Sequence, residues 1–93
     1  MYTRKVRFIW EAENIVHVAR HGVSPQEVEE LITAEDTVIV PARGRRLSAY
    51  GATAAGRPVR AIYDLVERED LRVTTAYPIR QHLLDRIRQE AQQ

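Results

Sequence analysis

The stretch from Trp10 to Ile32 constrains the fold most strongly, because it predicts two short helices joined by one glycine. Gly22 stands where a helix end favours a residue with positive φ. Ser24 then fits the N-cap of a second helix and Pro25 its first position, where a missing N–H is harmless. Glu27 follows Ser24 at the spacing of a capping box. We therefore predict that one helix ends near Gly22 and another begins at Pro25.

Apolar residues recur along both predicted helices at helical spacing. The first helix is expected to open with Glu11 and Glu13, whose carboxylates suit the positive end of its dipole. Val23 and Val28 have the spacing of a hydrophobic staple across the second N-cap. The residues predicted to face the core are Ile15, Val18 and Ala19 in the first helix and Val28, Leu31 and Ile32 in the second. Several glutamates lie on the outer face of the second helix, which disfavours DNA reading because phosphate attraction dominates such binding.

A resemblance to a known family appears in this stretch. It is carried by Trp10, Asn14, the string His21-Gly22-Val23-Ser24 and Glu27. The pattern resembles the opening of the BrnT family, small ribonuclease toxins of bacterial toxin–antitoxin pairs that share the RelE-like fold. The matching residues are concentrated in this stretch, and few lie beyond it.

The remainder of the chain indicates strands followed by a helix. Alternation of charged and apolar residues predicts a first strand over Lys5–Trp10. Further strands are predicted over Thr37–Val40, Arg46–Tyr50, Pro58–Val66 and Leu71–Ala76, separated by the turn Ala42–Arg45, the loop Gly51–Gly56 and the charged turn Glu67–Asp70. Short turns between consecutive strands imply an antiparallel meander of three to four strands. A last helix is predicted from near Pro78, with Ile79, Leu83, Ile87 and Ala91 as its buried stripe and Gln81, Asp85, Arg86 and Arg88 facing water.

The expected architecture is therefore α+β: an N-terminal strand, two short helices, the meander and a C-terminal helix, in a single domain over residues 1–93. The 93 residues are 44% hydrophobic, enough for one modest core. The absence of cysteine excludes a disulfide framework and thiolate chemistry. No apolar run approaches the roughly 18 residues needed to cross a bilayer, and Arg4, Lys5 and Arg7 interrupt the region where a signal peptide would be apolar. We therefore expect a cytoplasmic protein without membrane contact.

Charge is unevenly distributed along the chain. Residues 1–42 hold four basic and seven acidic groups, a sum of −3, whereas residues 43–93 hold ten basic and six acidic groups, a sum of +4. All the basic residues except Lys5 are arginine, whose planar guanidinium fits phosphate. A GC-rich genome would give the same bias without a functional cause. The positive second half favours placing any RNA contact there.

A second cluster spans residues 72–80, where the last strand is expected to lead into the last helix. Unpaired N–H groups at a helix start form a natural anion site, and Arg72 and Arg80 flank it. The string Thr75-Ala76-Tyr77-Pro78 is similar to the final strand of ribonuclease toxins of the barnase–RelE-like group, which BrnT proteins more often end in Ser-Ala-Arg. Tyr77 stands where that resemblance implies arginine, and Arg80 is the candidate replacement. A capped helix start with surface arginines explains the same pattern.

His17 and His21 are four residues apart, so they share one helix face, which Asn14 joins. Such a pair can bind a metal. However, no third ligand is evident, and Val18 follows His17 where a zinc-protease helix carries glutamate, so we expect neither a metal nor another cofactor. Surface histidines are the ordinary alternative, as for His82. The functional alternative for His17 and His21 is proton transfer, because histidine titrates near neutrality.

The resemblance implies a toxin that cleaves cellular RNA without a metal, by attack of a 2′-hydroxyl on phosphate, and that a cognate antitoxin neutralises. On that interpretation the candidate catalytic residues are His17, His21, Arg72, Tyr77 and Arg80, and the candidate RNA contacts are Lys5, Arg57, Arg60 and Thr75. The alternative is a non-catalytic domain of the same fold that binds a protein partner or nucleic acid, which Tyr77 and the net charge of +1 favour. A homo-oligomer and a toxin–antitoxin heteromer both remain open. A small-molecule enzyme is disfavoured, since no phosphate loop, nucleophile elbow or metal motif appears.

Overall fold

The computed structural model describes residues 6–67 and 69–92, which form one five-stranded sheet and three helices. In chain order the elements are β1 (Arg7–Ile9), α1 (Ala12–Arg20), α2 (Pro25–Thr33), β2 (Val38–Pro41), β3 (Arg46–Ala52), β4 (Pro58–Leu65), β5 (Asp70–Pro78) and α3 (Gln81–Ala91). The strands are arranged in the order β1-β5-β4-β3-β2. Strands β2 to β5 form the predicted antiparallel meander, and β1 adds to β5 in parallel. The α+β class is confirmed; Lys5, predicted to open the first strand, lies outside the described residues.

The junction between α1 and α2 is built as the sequence predicts. Gly22 has a φ of 74°, in the left-handed region that favours glycine. The Ser24 hydroxyl accepts from the Glu27 N–H at 3.2 Å, and the Glu27 carboxylate accepts from the Ser24 N–H at 3.0 Å. This reciprocal pair satisfies two amides at the start of α2. The change of direction between the two helices is therefore specified by contacts within the junction itself.

The main core lies between these two helices and one face of the sheet. The helices contribute Val18, Val23, Val28, Leu31 and Ile32, and the sheet contributes Ala49, Val59, Ala61, Tyr63, Leu71, Val73 and Ala76. Residues of β4 alternate, so that Val59, Ala61 and Tyr63 are buried here while Arg60 and Ile62 point to the other face.

The predicted inward stripe of α1 is partly wrong. Val18 is buried, but Ile15 is 39% exposed and Ala19 is also exposed, whereas Asn14 is buried. The reason lies at the edge of the sheet, where β1 ends at Ile9, opposite Arg72 of β5. The Asn14 amide donates to the carbonyls of Ile9 at 2.9 Å and of Val73 at 3.1 Å. Helix α1 therefore lies along the part of β5 that β1 leaves unpaired.

Helix α3 packs on β2 and β3 through a different stripe from the predicted one. Leu84 is fully buried, Ile87 is half-buried, and Leu83 is 37% exposed. A row of every fourth residue drifts around a helix of 3.6 residues per turn, so the predicted stripe could not stay on one face. Arg88, predicted to face water, is half-buried and its guanidinium contacts Asp36 at 3.0 Å.

The start of α3 also lies later than predicted. Strand β5 continues to Pro78, which pairs with Val59 of β4, and the Ile79 N–H donates to the Pro58 carbonyl at 3.1 Å. Arg80 is consequently the N-cap of α3 rather than a residue inside its first turn. Within the part of the chain that the structure describes, the helices are too short and too polar to cross a membrane.

Candidate functional site

Arg60 occupies the centre of the sheet face opposite the main core. It pairs in register with Tyr50 of β3 and Tyr77 of β5. Its Nη1 donates to the Tyr77 hydroxyl at 2.5 Å, and its Nε and Nη2 donate to the Ser48 hydroxyl at 3.3 and 3.0 Å. Its Cζ lies 5.3 Å from the Tyr50 ring centroid and 5.8 Å from that of Tyr77, within the range of cation–π attraction. The guanidinium is therefore held from both neighbouring strands.

His17 of α1 and His21, the C-cap of that helix, extend this group toward the sheet edge. The ring centroids of His21 and Tyr77 lie 6.0 Å apart in an edge-on arrangement. The rings of His17 and His21 lie 5.8 Å apart. Both histidines are exposed. The structure thus brings Arg60, Tyr77, His21 and His17 into one row, which we call the Arg60–His17 row.

A β-bulge explains why Tyr77 faces this row. Tyr63 of β4 pairs with Val73, but the next residue of β4, Ile62, pairs with Thr75, so Thr74 is an extra residue in β5. Regular alternation from the buried Val73 would turn Tyr77 into the core. The extra residue instead turns Ala76 inward and Tyr77 outward, as bulges commonly re-aim a side chain. Thr75, a predicted RNA contact, lies on the same face as Tyr77 because it pairs with Ile62.

Arg72 lies nearer the beginning of β5 and meets the other end of the row. Its guanidinium contacts the Glu11 carboxylate at 3.7 Å. Together with His17 and Asn14 it lines an open depression of about 320 Å³. From Arg72 to Pro78 the strand spans roughly 20 Å at the usual rise per residue. Arg72 and Arg80 therefore do not converge on one point, although both flank the row along β5.

The remaining predicted site residues are placed as follows. Arg80 is exposed at the N-cap of α3, and its side chain makes no cap bond. The Arg57 guanidinium donates to the Gly22 carbonyl at 2.6 Å and to the Glu27 carboxylate at 3.3 Å. That contact ties the β3–β4 loop to the α1–α2 junction. Lys5 lies outside the described residues.

Ser48 and Tyr50 were missed by sequence reasoning. Both sit in β3, where alternation alone could have placed them on one face, but the identity of that face depends on pairing with β4. Their proximity to Arg60 follows from the hairpin register, which the loop between β3 and β4 sets. Among the described residues, no group of three His, Cys, Asp or Glu side chains is arranged to hold a metal ion.

The molecule belongs to a recognisable fold class: a five-stranded sheet with a meander, two N-terminal helices over one face and a C-terminal helix on the other. The crystal structure of the Brucella abortus ribonuclease toxin BrnT is similar, with a TM-score of 0.64 over 85% of this chain and 100% of that chain, at 22% sequence identity. At that identity the likeness shows the fold alone, and it confirms the predicted BrnT-like α+β architecture. No family model matches the chain, and no curated protein matches it in sequence.

Proposed function

We propose that this protein is the toxin of a toxin–antitoxin pair and cleaves cellular RNA as a metal-independent endoribonuclease in the cytoplasm. The observation that carries the proposal is the contact of Tyr77 with Arg60 on one side and His21 on the other. A guanidinium, a phenol and an imidazole in one row supply charge and proton carriers for phosphate chemistry. The fold shared with a protein described as a ribonuclease toxin supports the same conclusion.

The chemistry requires only the RNA and these side chains. The 2′-oxygen attacks the adjacent phosphorus, the bond to the 5′-oxygen of the next nucleotide breaks, and the products are a 2′,3′-cyclic phosphate and a 5′-hydroxyl. One group takes the 2′-proton and another gives a proton to the leaving 5′-oxygen. We assign the proton transfers to His21 or His17 together with Tyr77, and stabilisation of the phosphorane charge to Arg60.

The surrounding residues would hold the RNA backbone. Arg72 borders the depression beside His17. Thr75 lies in β5 two residues before Tyr77, and Arg80 follows the strand at the N-cap of α3. These positions suit contacts to phosphates on either side of the cleaved bond. Arg57 is a weaker candidate, because its guanidinium is engaged within the fold.

Purified protein incubated with RNA in excess chelator tests the activity directly. We expect cleavage products ending in a cyclic phosphate. His21→Gln should lower the rate by about 10²–10⁴, the usual contribution of a proton-transfer group. His82→Gln is the matched control, because His82 is an exposed histidine of α3 that has no ring contact with the described residues of the row, and it should cleave as the parent does. RNA that stays intact at high protein concentration would refute the nuclease and leave a binding domain of the same fold.

A cognate antitoxin is the proposed partner. Expression of the protein in a bacterial host should arrest growth, and co-expression of its antitoxin should restore it. Arg60→Gln should relieve the arrest, whereas Arg86→Gln, at an exposed arginine of α3, should not. Harmless expression of the folded parent protein would argue against the toxin.

A further inference from the structure

The Ser48 hydroxyl is buried, and among the described residues its hydrogen-bond partner is one arginine, Arg60. Ser48 is 1% exposed, at the middle of β3, and its oxygen accepts from both Nε and Nη2 of Arg60. A serine in a buried strand position adds little packing, and its hydroxyl must be satisfied to be tolerated there. The role of the Ser48 hydroxyl is therefore its effect on Arg60.

Tyr50 flanks the same guanidinium from the other position on β3. Its ring lies 5.3 Å from the Arg60 Cζ, and the two residues are register partners. Among the described residues, neither Ser48 nor Tyr50 has a hydrogen bond or ring contact to the histidines of the row. Together they fix the plane of the guanidinium that Tyr77 also contacts.

The donors that Arg60 has left define what it can bind. A guanidinium carries five N–H groups. Three are directed at Ser48 and Tyr77, which leaves one on Nη1 and one on Nη2. Two N–H groups on the terminal nitrogens match the two non-bridging oxygens of a phosphodiester.

We infer that Ser48 and Tyr50 are positioning residues, which hold Arg60 so that its two remaining N–H groups face a phosphodiester beside Tyr77. The inference rests on the proposed function and names residues through which that site acts. A free arginine side chain has many rotamers. Fixing it before RNA binds therefore lowers the conformational entropy that must be lost to reach the transition state. The positive charge itself does not depend on Ser48, so RNA attraction should largely survive its loss.

The first experiment compares Ser48→Ala with the parent in cleavage of a short RNA and in binding of the same RNA carrying a 2′-deoxy nucleotide at the cleaved position. We expect kcat to fall by about 10- to 100-fold, as for a misplaced reacting group, while KM and binding change by less than about threefold. Ser48→Thr, which keeps the hydroxyl, should rescue kcat. For the ring, Tyr50→Leu should lower kcat and Tyr50→Phe should rescue it.

Thr53→Ala is the matched control for a purely structural loss. Thr53 is a buried hydroxyl just beyond the end of β3 that accepts from the Arg57 amide at 3.2 Å, remote in register from Arg60. Its loss should lower stability without lowering kcat of the folded protein. Equal kcat losses in Ser48→Ala and Thr53→Ala would overturn the inference.

The second experiment reads the position of Arg60 without any activity. The Nε–H signal of Arg60, identified by its disappearance in Arg60→Lys, should show a rigid side chain in the parent and a mobile one in Ser48→Ala. Exposed Arg43 provides the mobile reference. A parent that cleaves no RNA would overturn the proposed function, yet this signal would still decide the positioning. An Arg60 as mobile as Arg43 in the parent would overturn the positioning, whether or not RNA is cleaved.

Discussion

At the scale of single residues, the notable feature is which arginine meets Tyr77. The sequence offered Arg80 as the replacement for a missing guanidinium, because it lies three positions further along the chain. The fold supplies Arg60 instead, from the neighbouring strand and 17 positions away. Spacing along a chain can place His17 beside His21 on one helix turn, but it cannot reveal a partner that depends on strand register.

Tyr77→Phe tests the phenol itself. The Tyr77 oxygen accepts from Arg60, which leaves its own proton free to be directed at a ligand. Removing the hydroxyl keeps the ring against His21, so we expect kcat to fall by about 10²–10⁴. The unfolding free energy should fall by about 1–3 kcal/mol, because the lost hydrogen bond is to a charged guanidinium. Rates from single-turnover cleavage and a urea titration measure the two quantities. A Phe variant with parental kcat would remove Tyr77 from the chemistry.

At the scale of elements, local signals were predictable and tertiary ones were not. Helix capping depends on residues that are close together in the sequence, so the α1–α2 junction at Gly22 and Ser24 could be predicted in detail. The face of α3 could not, because Leu84 is selected by contact with the sheet. In the sequence, the bulge at Thr74 is indicated only by two adjacent threonines, which interrupt the alternation of β5.

Paired substitutions test the bulge. The register makes Ala76 face the core and Thr75 the opposite side, whereas uninterrupted alternation from Val73 would reverse them. Ala76→Asp should therefore cost several kcal/mol of unfolding free energy or prevent folding, because it buries an unpaired charge. Thr75→Asp should cost less, about 1–2 kcal/mol, because Thr75 is only half-buried and lies on the opposite face of the sheet. Denaturant unfolding of the two variants measures both costs, and the opposite ranking would show that the strand is not bulged.

At the scale of the whole molecule, arginines are divided between the fold and the candidate site. Among the described residues, four arginines contact carboxylates: Arg7 with Asp70, Arg57 with Glu27, Arg72 with Glu11 and Arg88 with Asp36. Arg60 is held instead by hydroxyls and aromatic rings. Its positive charge has no contacting carboxylate among the described residues, so it remains available to an anion. The arginine-rich composition thus has a structural cause as well as a candidate functional one.

The Arg7–Asp70 pair links this electrostatic pattern to the stability of the whole chain. Arg7 donates through Nε and Nη2 to the two Asp70 oxygens at 2.9 and 2.6 Å, and so joins β1 to the start of β5. The hydrogen bonds from Arg7 hold the pKa of Asp70 below its usual value of 3.8. A carboxylate whose pKa is lowered by folding stabilises the folded state above its unfolded pKa, and that contribution is lost as pH falls through the folded value.

Asp70→Asn should therefore reduce stability near neutral pH and make the remaining stability fall less steeply as the pH drops below about 4. Because β1 leads directly to Asn14, whose amide anchors α1 on Val73, weakening β1 should also loosen α1, which carries His17 and ends at its C-cap His21. Urea midpoints from pH 7 to pH 2, with amide exchange in α1 at the same pH values, measure both effects. Glu90→Gln, at an exposed carboxylate of α3, is the control and should follow the parent curve. If the stability of the Asp70→Asn variant declines in acid as steeply as the parent's, the Arg7–Asp70 pair does not join β1 to the sheet in solution.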